Sequence, residues 1–171
     1  CLIANPLVTF ADVVVKEGGP GVTMEGLLIG AEGVAVDGVG NIYIADTQNH
    51  VIRKYNSKGT PTLVFGREAH AGDSDGSPVN VRFNLPTKLA TSSSGEVFVV
   101  ERGATGQSRI RSIDTLTLET RFVSDLAEGV DGGSMLDVTT GLTLNKGMLQ
   151  GVEIGDIAVS IFGNIIVSAT D

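Results

Sequence analysis

Along this chain, short runs of β-branched and aromatic residues alternate with clusters of glycine, asparagine, aspartate and proline. Between Gly33 and Gly66 four such runs follow one another: Val34 to Val36, Ile42 to Ala45, Val51 to Tyr55 and Thr62 to Phe65. Each is closed by turn residues, which predicts four β-strands. The closures are Asp37-Gly38-Val39-Gly40-Asn41, Asp46-Thr47-Gln48-Asn49 and Asn56-Ser57-Lys58-Gly59. Gly, Asn and Asp tolerate the positive φ that tight hairpins need, so the four strands are expected to form an antiparallel meander.

The same pattern then returns. Superposing Gly95 on Gly40 brings Ala90 onto Ala35 and Glu101 onto Asp46; with a turn three residues longer, Ile110-Arg111 falls on Ile52-Arg53. Strands are predicted over Leu89 to Thr91, Gly95 to Glu101, Arg109 to Asp114 and Glu119 to Val123, in a copy that diverges at Ser92 and Glu101. A third copy opens with Asp156 to Ser160 and Gly163 to Ser168. It carries Ala169 at the position of Asp46, with Asp171 as the candidate substitute. Ahead of the first copy, Leu7 to Phe10 reads as the outer strand of a preceding unit. The polar stretch from Arg67 to Pro78 and the glycine-rich stretch from Asp125 to Glu153 read as linkers. Strands such as Ile42 to Ala45 and Val97 to Val100 are apolar almost without alternation, which predicts burial on both faces.

Gly33-Val-Ala-Val-Asp37, Gly40-Asn-Ile-Tyr-Ile-Ala-Asp46 and Asn49-His50 followed by Ile52-Arg53-Lys54 resemble an NHL repeat, the blade of one β-propeller family. Asp75-Gly76 and Phe83-x-x-Pro86 resemble the family's lead into the innermost strand of the next blade. The resemblance implies an all-β fold: an open arc of a β-propeller with four-stranded antiparallel blades, part of a ring of about six. On this reading, residues 1–171 form a single partial propeller. Residues 7–10 supply the outer strand of a preceding blade, 33–66 and 88–124 form complete blades, and 156–171 begin another. Such an arc leaves two apolar faces, and surface of that extent is a liability or an interface. The ring is expected to be completed by further blades of a longer chain. Alternatively, a second copy supplies hybrid blades, each lacking its third strand.

Composition narrows the classes further. With 171 residues, 42% of them hydrophobic, the chain suffices for one domain with a core. A net charge of −8 disfavours nucleic acid, since there is no surplus of cations to release counterions. The single cysteine, Cys1, rules out an intrachain disulfide. No run approaches the ~18 consecutive apolar residues of a membrane span. A chain opening on Cys1 is expected to start at a fragment boundary, with the lipid-bearing end of a mature bacterial lipoprotein as the alternative. An extracellular or other extracytoplasmic setting is the working expectation.

The candidate chemistry is sparse. No Gly-x-Ser-x-Gly elbow, phosphate loop or Cys-His pair occurs. Asp46 and Arg53 recur as Glu101 and Arg111; a repeated position is not a unique active site, so these are read as structural, the acids satisfying backbone donors. His50 and His70 are the only histidines. His50 is read as structural. His70 shares a hydrophilic loop with Asp73 and Asp75, a set that could bind a divalent cation; no other cofactor is expected. Some propellers resembling this one are lyases with a zinc held by several histidines near the ring axis, and two histidines could supply only part of such a site.

The expected function is therefore a non-catalytic binding or scaffold module that contacts a protein or other ligand through its loops. Gln48, Asn49, His50, Arg67, His70, Asp73, Asp75, Arg102 and Gln107 are the candidate contact residues, as loop positions on a rigid scaffold. The alternatives are a metal-dependent lyase or hydrolase whose site is completed by further blades, and a structural component of an extracellular assembly. A protein partner, the remaining blades, or a second copy are the expected partners.

Overall fold

The computed structural model describes residues 28–103, 108–123, 135–137, 142–144 and 153–170, and in it the chain is all-β, with three four-stranded sheets. The first is a meander of β1 (Gly33–Val36), β2 (Ile42–Asp46), β3 (Val51–Tyr55) and β4 (Pro61–Phe65), each antiparallel to the next. The second repeats it with β5 (Pro86–Thr91), β6 (Glu96–Arg102), β7 (Ser108–Asp114) and β8 (Thr120–Phe122). The expected strand at Leu7 to Phe10 lies outside the described residues, as does Asp171.

The third sheet corrects the reading of Asp125 to Glu153 as a linker. That stretch supplies β9 (Met135–Asp137) and β10 (Leu142–Leu144), which join β11 (Glu153–Val159) and β12 (Ile165–Thr170) in the order β10-β9-β12-β11. The sheet thus has four strands where two were expected. β9 runs parallel to β12, with Ile165 opposite Met135. It precedes the β11–β12 hairpin in the chain, so no tight turn fixes it antiparallel.

The inner hairpins explain how divergent copies keep one shape. Gly40, Gly95 and Gly163 adopt φ of 88°, 90° and 82° and donate to the carbonyls of Asp37, Ser92 and Ser160. The side-chain oxygens of Asp37, Ser92 and Ser160 accept the N–H of Asn41, Glu96 and Asn164 at 2.8, 3.0 and 3.1 Å. Each is a tight turn closed by a left-handed glycine, and serine replaces aspartate without losing the acceptor.

Alternation along β6 feeds two cores. Val97 and Val99 pack with Tyr43, Ala45, Ile52, Phe65, Val81 and Phe83, while Phe98 and Val100 pack with Ile154, Ile157, Ile165 and Val167. Adjacent side chains point to opposite faces, so a strand covered on both sides is apolar at every position. The first strands of neighbouring sheets also meet: Thr91 Oγ1 donates to the Val36 carbonyl at 2.9 Å. At Gly33 a Cβ would lie 2.4 Å from the Thr87 carbonyl oxygen, so this close approach requires glycine. The far face of the first sheet is more open: Val34 is 39% exposed, against 8% for Leu89 at the equivalent place in the second.

Candidate functional site

The ends of β2 and β6, with the turn Thr47–Asn49 that follows β2, form one rim built on two buried carboxylates. Asp46 Oδ1 accepts the Ile29 amide at 2.8 Å, and Glu101 Oε2 accepts the Asn84 amide at 2.8 Å, each 17 residues back along the chain. Each acid therefore clips the segment that enters its own sheet. A charge-assisted bond of this kind is among the stronger ones in a fold.

Beyond that shared bond the two acids differ. Asp46 Oδ2 accepts from Arg53 Nε at 2.7 Å and from Asn49 Nδ2 at 2.9 Å, and the Arg53 guanidinium continues to Glu68 at 2.6 Å. Glu101 takes its short bond from Arg109, at 2.8 Å, while Arg111 stands 3.7 Å away. Arg109 is thus the direct hydrogen-bond partner of Glu101, and Arg111 forms the longer ion pair. Sheet register gives the reason. Arg53 lies opposite Ile44 and Arg111 opposite Val99, so those two are equivalent, whereas Arg109 lies opposite Glu101 itself, where the first sheet has Val51 opposite Asp46.

Arg111 is completely buried. It donates to the carbonyls of Arg82 and Ser74 at 2.6 and 2.7 Å and pairs with Asp75. Its guanidinium carbon lies 4.9 Å from the Phe83 ring centre and 4.8 Å from that of Phe122. Asp75 also accepts the Phe122 amide, and Gly76 forms a bridge with Thr120, so the connection between the first two sheets is tied along the edge of β8. Burial pushes the Glu101 carboxyl above the usual range; Arg111, the Asn84 amide and Arg109 pull the other way without cancelling it.

His50 ends the 3-10 turn Thr47–Asn49 in the left-handed region, at φ 59°. Its Nδ1 accepts the Leu85 amide at 3.1 Å, which requires the tautomer protonated on Nε2. Burial pulls its imidazole below the ordinary value. Leu85 is itself left-handed, at φ 49°. Beside this link, Thr47 Oγ1 donates to the Pro86 carbonyl at 2.7 Å. Two side chains of the first sheet's rim thus hold the entry to the second.

The other expected contact residues are distributed along this rim and the connection that follows it. Gln48, Arg67 and Arg102 are exposed, with Arg102 3.7 Å from Glu32. Asn49 bonds Asp46, and its carbonyl accepts the Ala69 amide. His70 Nδ1 lies 2.7 Å from the Glu68 carbonyl, Asp73 lies 3.7 Å from Arg109, and Asp75 is bound to Arg111. Gln107 lies outside the described residues. Among the described residues, no group of three or more His, Cys, Asp or Glu is gathered as a metal would need. Sequence reasoning did not single out Arg109 or Glu68. Arg109 did leave a signal, since residues i and i+2 of a strand share a face and Arg109 and Arg111 both follow the repeat's acid.

No protein-family model matches the chain, and no curated protein matches it. Among solved structures it is similar to the crystal structure of a structural-genomics protein of unknown function from Bacteroides thetaiotaomicron. The two share 21% identity at a TM-score of 0.50, over 74% of this chain and 29% of that one. The chain spans less than a third of that protein's length, and the likeness is one of fold.

Proposed function

We propose that this chain is an arc of a β-propeller of NHL-type blades and works as a non-catalytic binding module through its rim of loops. The stacking of successive sheets supports the blade reading: β5 packs against β1 and β2 on one side and β11 on the other, so the edge strands β1, β5 and β11 come together. The equivalent clips at Asp46 and Glu101 support a repeated unit.

The observation that carries the binding reading is how the rim's charges are used. Asp46, Arg53, Glu101, Arg109 and Arg111 are engaged with one another and with backbone, while Gln48, Arg67 and His70 face solvent from the connections and Arg102 from the end of β6. Rigid backbone with projecting polar side chains is suited to recognition. The further blades of a longer chain, or a protein partner, are the expected neighbours.

The test is a rim variant, Gln48→Ala with Arg67→Ala and Arg102→Ala, compared with the parent for folding and for proteins retained from the native host. The binding reading expects an unchanged circular-dichroism spectrum and loss of a specific partner. An unchanged partner set, or stoichiometric zinc or calcium in purified protein accompanied by lyase or hydrolase activity, would replace it with the enzyme reading.

A further inference from the structure

We propose that His50 is a proton-operated clasp between the first two sheets: neutral, it holds the Leu85 amide, and as imidazolium it lets that amide go. The link spans 35 residues of sequence and joins the rim of the first sheet to the segment that opens the second. Segment 84–86 is tied to both sheets. Glu101 takes the Asn84 amide and the Arg102 amide reaches the Leu85 carbonyl, both from its own sheet; Thr47 and His50 reach across from the first. Of the two cross-sheet bonds, only that of His50 depends on a proton. An imidazole nitrogen that accepts a hydrogen bond becomes a donor on protonation, leaving two donors face to face.

The charged groups around His50 do not hold it in the charged form. On its own sheet, Asp46 and Glu68 are both bound to Arg53; from the second sheet, Glu101 is bound to Arg109 and Arg102 faces Glu32. Arg67 is exposed, and His70 lies against the Glu68 carbonyl. Release therefore falls below the ordinary histidine value of 6.5, in the direction that burial sets. Both joined residues sit in the left-handed region, so the bond also restrains two backbone positions that side chains ordinarily avoid.

The test is amide exchange in the intact protein at pH 7.5 and pH 5, corrected for intrinsic rates, for wild type and His50→Asn. Asparagine tolerates the left-handed region, and its Oδ1 takes the place of Nδ1 as an acceptor that does not titrate. In wild type, the Leu85 amide is expected to lose roughly tenfold protection on acidification, the scale of one hydrogen bond. The Asn84 and Val99 amides keep theirs, and the variant shows no change at Leu85. Leu85 protection that is equal at both pH values overturns the clasp. So does a variant that keeps the wild-type response, or a loss at Val99 matching that at Leu85, which would report global opening.

Discussion

The first and second sheets put a carboxylate at the same place and build different networks from it. In the first, the shorter Asp46 engages one arginine through Nε, and that arginine goes on to the half-exposed Glu68. In the second, Glu101 is one methylene longer and meets Arg109 instead, which leaves Arg111 to hold two carbonyls and Asp75 of the incoming connection. The difference teaches that a repeat conserves the backbone clip and varies the counter-ion. The amide bonds from Ile29 and Asn84 are equal at 2.8 Å, while everything on the other carboxylate oxygen has changed.

The comparison breaks most visibly at the arginines. Arg111→Met removes the partner of buried carbonyls and of Asp75 and is expected to cost about 3–5 kcal/mol, the scale of breaking a buried ion pair. The urea midpoint should fall by far more than for Arg53→Met. In the latter variant Asp46 retains the Ile29 and Asn49 donors, and a loss of about 2 kcal/mol is expected. Equal losses at the two sites would mean that the networks are energetically the same despite their geometry.

A pH titration sharpens the comparison. Glu101 has a raised value in the folded chain, so its contribution to stability is full below the unfolded value near 4.5 and is lost as pH rises through the folded value. Glu101→Gln should remove that decline, measured as the urea midpoint between pH 4 and pH 8. A steeper decline in the variant would contradict it.

The smallest effect is expected at the inner turn. Asp37 accepts from the Asn41 side chain and amide, the Val39 amide and Tyr43, and although burial pushes its carboxyl upward these bonds hold it below the ordinary value. Asp37→Ser copies the second and third turns and is expected to cost about 0.5–1 kcal/mol. Its stabilising contribution is present above the unfolded value near 3.8 and disappears as pH falls through the folded one, so parent and variant should converge in acid. A thermal melt of each at pH 3 and pH 7 checks both points.

What could be read from sequence was what is local. The runs Ile42 to Ala45 and Val97 to Val100, and the glycines that close the inner turns, mark strands because turn chemistry and apolar periodicity act over a few residues. The acids at 46 and 101 were legible because the repeat prints them twice. The rest lay in contacts between distant segments: Arg111 with Asp75, 36 residues apart, and Leu85 with His50, 35 apart. Composition does not encode such distances. β9 was hidden for a related reason, since it joins β12 in parallel from a glycine-rich stretch.

Because Val97 and Val99 belong to one core and Phe98 and Val100 to the other, β6 is a party wall between two rooms. Adding a single residue within it would exchange the furniture of both rooms at once, since each side chain beyond the insertion changes face. Such a chain has no cheap way to lengthen a wall. It can vary freely at the doorways, as the serine-for-aspartate turns do, but it can grow only by building another whole room.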